Sequence, residues 1–122
     1  MTRWLASVLR SFVPALAGLA WALKTQRNLQ VHAIATVLVV ILGGWLRLAE
    51  WECCVVLLAV GSVWAAELLN TALEVLADRV SKEREDPIRR VKDTAAAAVL
   101  VVAIAALGVG LVVFLPKLWL LL

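Results

Sequence analysis

Polar side chains recur at helical spacing within a stretch that is otherwise apolar. Glu67, Asn70, Thr71, Glu74 and Asp78 follow one another at intervals of one to four residues. At about 100° per residue, the last four lie within roughly 60° of Glu67 around a helix. An ionisable group inside a membrane costs on the order of 3 kcal/mol. We therefore expect this polar stripe to point into a helix bundle or a hydrated cleft.

Charges of both signs follow the stripe. Residues 82–86 are Lys-Glu-Arg-Glu-Asp, and Lys92-Asp93 opens the next apolar run. Carboxylates and an amide on one wall, with a lysine on another, suit a magnesium-bound polyphosphate, because oxygen ligands hold the metal and the cation offsets charge on the transferring group. A carboxylate just inside the membrane is also placed to deprotonate a lipid hydroxyl.

The same residues admit a structural interpretation. Glu67, Glu74 and Asp78 could pair with Lys92 and Arg79 merely to hold helices together, and the basic residues of this loop could serve only to fix topology. We favour function, because acids within membrane spans are functional by default. The sequence contains neither GxxxxGK[ST] nor GxGxxG, so no nucleotide-binding fingerprint decides between the two interpretations.

Composition indicates a small membrane protein. The chain has 122 residues, of which 64% are hydrophobic and 17% charged, and so short a chain cannot bury that much apolar surface in its own interior. The basic residues lie in two segments, which gives no support to nucleic-acid binding.

Cys53 and Cys54 are adjacent and lack a second pair, which excludes a disulfide framework or a metal knuckle. His32 is the one histidine, and we interpret it as an interfacial or packing residue.

Three apolar stretches, about residues 29–49, 53–78 and 94–115, are each long enough to cross a hydrocarbon core of roughly 30 Å. The third is expected to stop at Pro116. Lysine and arginine are concentrated before the first stretch and between the second and third, whereas only Arg47 lies in the remaining loop. The positive-inside rule then predicts that the N-terminus and loop 79–93 are cytoplasmic and the C-terminus is outside.

Residues 1–28 are predicted to form an interfacial amphipathic helix that precedes a three-span membrane domain over residues 29–122. Apolar residues recur there at helical spacing: Trp4, Leu5, Val8, Leu9, Phe12 and Val13. Polar residues, among them Arg3 and Arg10, lie beside them. Pro14 is expected to break or bend this helix. A cleaved signal peptide ending at the small-x-small sequence of residues 15–17 is the competing interpretation, against which Arg10 interrupts the apolar region.

The motif residues resemble the prokaryotic diacylglycerol kinase family, which includes the undecaprenol kinases. The resemblance is carried by Glu67-Leu68-Leu69-Asn70-Thr71-Ala72-Leu73-Glu74, by Asp78 one turn later, and by Lys92-Asp93 before an alanine-rich span. Upstream it extends through Gly18-Leu19 and residues 24–28, and it covers about residues 10–110. Acid, amide, acid and Lys-Asp recur in order across two spans, which makes the resemblance specific.

The resemblance implies a homotrimer of the bacterial inner membrane, each subunit having a surface helix and three spanning helices. It implies transfer of the γ-phosphoryl group of ATP, with Mg²⁺, to diacylglycerol or undecaprenol. Glu67 would be the general base, Asn70 a positioning group and Glu74 a magnesium ligand. The nucleotide site would include Lys92 and Asp93, with a looser match for Glu83 and Glu85.

Two positions qualify this resemblance. Members of the family commonly have a magnesium-coordinating glutamate where this chain has Gln26, and a neutral amide removes one negative charge from the metal site. His32, which follows the Arg-Asn pair of residues 27–28, resembles the undecaprenol kinase branch. The alternative from a different functional class is a non-enzymatic membrane subunit with a buried acidic network.

Overall fold

Four helices make up the regular structure of the part of the chain that the computed structural model describes, residues 2–83 and 85–122. They are α1 (Thr2–Thr25), α2 (Arg27–Trp45), α3 (Glu50–Val80) and α4 (Asp86–Trp119). Each is long and apolar enough to cross a membrane, as judged by length and composition. The all-helical integral membrane class expected from the sequence is therefore confirmed. The surface position of α1 stays a prediction, because its length and composition also suit a span.

Helices α3 and α4 are longer than a membrane crossing requires. They contain 31 and 34 residues, which at 1.5 Å per residue correspond to about 46 and 51 Å, against a hydrocarbon core of roughly 30 Å. A helix of either length that crosses the core therefore extends beyond it, by about three to four turns if it is not tilted. The charged end of α3 and the charged start of α4, joined by residues 81–85, are the ends whose composition suits that region.

Both prolines inside helices leave the helix continuous. α1 runs through Pro14 and α4 runs through Pro116 to Trp119, so an outright break at Pro14 and a stop at Pro116 were wrong expectations. Proline removes one backbone hydrogen bond, but a chain that left the helix in an apolar environment would leave several backbone groups unpaired. Continuing the helix therefore leaves fewer backbone groups without a hydrogen bond than ending it would.

The turn between α2 and α3 closes α2 with a left-handed residue. Arg47 has φ 52°, Arg47 N–H donates to the Gly44 carbonyl at 3.3 Å, and Leu48 N–H donates to the Gly43 carbonyl at 3.2 Å. These two bonds define a Schellman motif, in which the left-handed position is usually glycine. A Cβ on Gly43 would come within 3.1 Å of the Leu48 side chain, so the turn packs closely on the end of α2.

Replacing Arg47 with glycine is expected to stabilise the protein. Glycine adopts the left-handed conformation without the Cβ clash that costs other residues roughly 1–2 kcal/mol, part of which its greater freedom in the unfolded chain offsets. We expect the free energy of unfolding to rise by about 1 kcal/mol, measured by thermal unfolding in detergent. Arg47→Ala keeps the clash and serves as the control; a glycine variant no more stable than the alanine variant would contradict the prediction.

One carboxylate contacts both helices at the end of the pair where α3 begins and α4 ends. Glu52 accepts a hydrogen bond from the Ala49 N–H at 2.7 Å, which caps the start of α3. The same oxygen accepts from Lys117 Nζ, in the last turn of α4, at 3.0 Å. Since α3 and α4 are antiparallel neighbours, residues 67–93, which include the polar stripe, lie toward the opposite end of the pair.

Candidate active site

The first half of the polar stripe of α3 is buried even in a single chain. Glu67 is 3% exposed, Asn70 8% and Thr71 5%, whereas Glu74 is half-buried and Asp78 is exposed. The stripe therefore turns its first three members inward, as expected, and brings its last members out toward the end of the helix. The side chains share this direction because they recur every three or four residues along α3.

Asn70 forms a hydrogen bond with Glu74, another member of the stripe, through only one of its two polar side-chain atoms. Its Nδ2 donates to Glu74 Oε1 at 3.3 Å. Its Oδ1 is buried and has no hydrogen-bond partner among the described residues. A buried carbonyl oxygen without a partner loses its hydration with nothing in return, so this atom is available to a ligand.

His32 reaches the buried carboxylate from α2. The distance from its Nε2 to Glu67 Oε1 is 3.1 Å, and the two side chains are 26% and 4% exposed. One turn further along α2, Thr36 Oγ1 accepts a hydrogen bond from Trp64 Nε1 at 2.9 Å. The two contacts place α2 against the same face of α3 that carries the polar stripe.

The start of α4 contributes a cation. Lys92 Nζ contacts Asp78 Oδ1, so Lys92 lies beside the outer end of the stripe, while its neighbour Asp93 is exposed. This pair is the contact that the structural interpretation predicts for Asp78. Within residues 2–83 and 85–122, no lysine or arginine forms a salt bridge with Glu67 or Glu74.

The loop acids lie apart from the stripe. Glu83 and Glu85 are exposed and both contact Ser81, whose Oγ accepts from the Glu83 N–H at 3.2 Å and donates to Glu85 Oε1 at 3.4 Å. Arg84, which contributes to the mixed charge of this loop, lies outside the described residues. The structure places these acids just past the end of α3, at the same end of the molecule as Lys92.

Gln26 occupies the junction of α1 and α2. Its backbone is extended, with φ −103° and ψ 113°, and this single residue separates the two helices. The half-buried side chain donates from Nε2 to Thr25 Oγ1 at 3.2 Å. In the described part of the chain, no hydrogen bond joins Gln26 to the α3 acids, so the structure of one chain does not bring it together with Glu74.

Most of the chain matches a known enzyme family. The family model of prokaryotic diacylglycerol kinase matches residues 14–114. The chain belongs to this family. The membership predicted from residues 67–74 and 92–93 is thereby confirmed.

Relatives in the prokaryotic diacylglycerol kinase family cover most of the chain. The undecaprenol kinase of Bacillus subtilis (strain 168) is 38% identical over 109 residues, which is 89% of this chain and 89% of that protein. The diacylglycerol kinase of Synechocystis sp. is 40% identical over 113 residues, 92% of this chain and 65% of that protein. The diacylglycerol kinase of Escherichia coli (strain K12) is 30% identical over 89 residues, 73% of each. All three are kinases, which removes the support for a non-enzymatic subunit.

Phosphoryl transfer by kinases in general uses a divalent cation, and the oxygen donors of α3 are of the type that binds one. No cluster of three His, Cys, Asp or Glu side chains that could hold a metal ion occurs among the described residues. Mg²⁺ does not need one, because it is usually held by one or two carboxylates together with phosphate oxygens and water. Glu74 and the unpartnered Oδ1 of Asn70 are hard oxygen donors one turn apart.

His32 is the site neighbour that sequence reasoning missed. A lone histidine was interpreted as packing because a second histidine was required for a metal cluster. The informative signal was its position inside an apolar run, where an ionisable side chain calls for a partner. The unpaired acids of α3 were the available partners, and the contact with Glu67 supplies one.

Proposed function

We propose that this protein is an integral membrane lipid kinase that transfers the γ-phosphoryl group of ATP to the hydroxyl of diacylglycerol or undecaprenol. The observation that carries the proposal is the buried carboxylate of Glu67, which lies on the same face of α3 as Asn70 and Glu74 in a member of a lipid kinase family. A carboxylate in this position can accept a proton from an alcohol that enters from the bilayer.

The reaction divides between base and positioning groups. Glu67 accepts the hydroxyl proton while the lipid oxygen forms its bond to the γ-phosphorus. The bond from that phosphorus to the β–γ bridging oxygen breaks, and ADP leaves with the bridging oxygen. Asn70, next to the base on α3, orients the reacting groups through its free Oδ1. In-line transfer of this kind depends mainly on positioning and on charge neutralisation.

The remaining residues bind the nucleotide and metal. Glu74 and Gln26 are proposed as oxygen ligands for Mg²⁺, which when bound neutralises charge on the transferred group. The nucleotide is proposed to contact side chains at the cytoplasmic end of α3 and α4: Glu83, Glu85, Lys92 and Asp93. For Lys92, this requires exchange of its Asp78 contact for a phosphate oxygen, which offers the ammonium group more negative charge.

The proposed assembly is a homotrimer in the bacterial inner membrane. Many large apolar side chains of α2, α3 and α4 are exposed in the single chain, and lipid or other copies must cover them. We propose that α1 lies along the interface, because the side chains of residues 3–18 are exposed, whereas Ala22 near its C-terminal end is buried and the Leu23 carbonyl accepts a hydrogen bond from Gln30 Nε2 of α2. The lysine and arginine residues of the N-terminal segment and of loop 79–93 support a cytoplasmic position for both segments, with the C-terminus outside.

The test is transfer of labelled γ-phosphate from ATP and Mg²⁺, by detergent-purified protein, to diacylglycerol and undecaprenol supplied side by side. Label in either lipid supports the proposal and identifies the acceptor; the position of His32 favours undecaprenol. An absence of label in both, with the Escherichia coli diacylglycerol kinase active in the same micelles, would overturn it.

Replacing Gln26 with glutamate is expected to tighten the dependence on Mg²⁺. The change adds one negative charge to the proposed metal site, and we expect the Mg²⁺ concentration for half-maximal activity to fall by about tenfold, which corresponds to roughly 1.4 kcal/mol. A magnesium titration at saturating ATP measures it. Asn28→Asp, which adds the same charge at an exposed side chain two residues along, is the control; an unchanged or weaker magnesium response in Gln26→Glu would remove Gln26 from the metal site.

A further inference from the structure

The contact between His32 and Glu67 connects two helices at the proposed base. His32 Nε2 lies 3.1 Å from Glu67 Oε1, and no other side chain among the described residues forms a hydrogen bond with Glu67. One carboxylate oxygen is therefore engaged and the other is free. Glu67 is nearly buried whereas the imidazole is 26% exposed, so the imidazole is the more accessible member of the pair.

The backbone around the imidazole is fixed by its neighbours. Thr36 Oγ1 donates to the His32 carbonyl at 2.7 Å and accepts from Trp64 Nε1 at 2.9 Å. Trp64 and Glu67 lie three residues apart on α3, and His32 and Thr36 lie four apart on α2. The second contact joins the same two helices one turn away, so a variant that removes it alone tests helix packing separately from the contact of the imidazole with the carboxylate.

We propose that His32 is a positioning residue for phosphoryl transfer. Its Nε2–H donates to Glu67 Oε1, which fixes the plane of the carboxylate and leaves Oε2 directed at the acceptor hydroxyl. A hydrogen bond from behind a reacting group restricts its orientation before substrate arrives. This inference rests on the proposed function, and it names a residue that acts through Glu67 rather than on the substrate.

Kinetics of His32 variants separate positioning from packing. His32→Leu removes the donor and is expected to lower kcat by about 10- to 100-fold, the size of effect that follows when the hydrogen-bond partner behind a metal ligand is lost, with the KM for ATP unchanged. His32→Gln places an amide N–H near the position of Nε2 and is expected to recover kcat to within a few fold of wild type. Thr36→Val, which removes the neighbouring α2–α3 contact and leaves Glu67 untouched, is the matched control and is expected to keep kcat.

The single histidine offers a second readout that is independent of activity. The chain contains one histidine, so labelling with ¹⁵N-histidine reports His32 alone. The Nε2 resonance of His32 in the Glu67→Gln variant should be shifted from its position in the wild-type protein. It should not shift in Glu74→Gln, because Glu74 contacts Asn70 rather than the imidazole.

The outcomes are distinguishable. A His32→Leu variant as active as wild type, or an Nε2 resonance that is indifferent to Glu67→Gln, would overturn the role of His32 while leaving the kinase function intact. A loss of activity that His32→Gln does not restore, with Thr36→Val equally impaired, would assign both residues to packing and also overturn it. A wild-type protein that labels neither lipid would overturn the proposed function itself, even where the resonance shift confirms the contact.

Discussion

Replacing Glu67 with glutamine is expected to lower kcat for lipid phosphorylation by about 10²- to 10⁴-fold, the usual contribution of a general base. Glutamine keeps the size of the side chain and an oxygen that can accept the hydrogen bond of His32, but it cannot take the hydroxyl proton. Because the buried position loses a charge rather than volume, we expect the protein to fold and to purify in the same oligomeric state. The initial rate of label transfer measures kcat, and size-exclusion chromatography in detergent measures the oligomeric state.

Glu50→Gln is the matched control for this change. Glu50 is an exposed glutamate at the opposite end of α3, so the same substitution there should leave both kcat and oligomeric state unchanged. Loss of the oligomer in Glu67→Gln would favour a structural ion pair over a catalytic base. Retention of activity in folded Glu67→Gln would remove Glu67 from the proton-transfer step.

Helical periodicity was enough to predict the polar stripe and its direction. Glu67, Asn70 and Thr71 are buried together, because residues three or four apart on a helix share a face and acids avoid lipid. Periodicity is a property of one helix, however. It could not supply the contact of His32 with Glu67 or that of Lys92 with Asp78, since each depends on how neighbouring helices are rotated and shifted against each other.

Helix ends were predicted less well than helix interiors. Pro14 was expected to break or bend α1 and Pro116 to end α4, but neither proline ends its helix. Proline lowers helix stability in water, where the freed carbonyl finds a hydrogen bond, but the cost of leaving the helix is higher in an apolar environment. The sequence also could not place Gln26 relative to α3, because the position of a junction residue depends on where α1 lies.

Replacing Glu74 with glutamine is expected to raise the Mg²⁺ concentration for half-maximal activity by about 10- to 100-fold, which corresponds to roughly 1.4–2.8 kcal/mol. A carboxylate holds Mg²⁺ chiefly through its charge, and the amide keeps only an oxygen. The half-buried side chain also accepts the hydrogen bond of Asn70 Nδ2 at 3.3 Å, which an amide oxygen can still do. The change therefore tests charge with the local geometry kept, and a magnesium titration at saturating ATP measures it.

A double variant determines whether Glu74 and Gln26 share one metal ion. If they do, the two changes should be coupled: the glutamate at position 26 then replaces the charge that Glu74→Gln removes, and the half-maximal Mg²⁺ concentration of the double variant should depart from the value obtained by adding the effects of the single variants. If the two residues act at separate places, the effects of the single variants should simply add, as they do for independent sites. An unchanged magnesium requirement in Glu74→Gln alone would exclude Glu74 as a ligand. The metal would then have to be held by other oxygens of the stripe, with the free Oδ1 of Asn70 as the first to test.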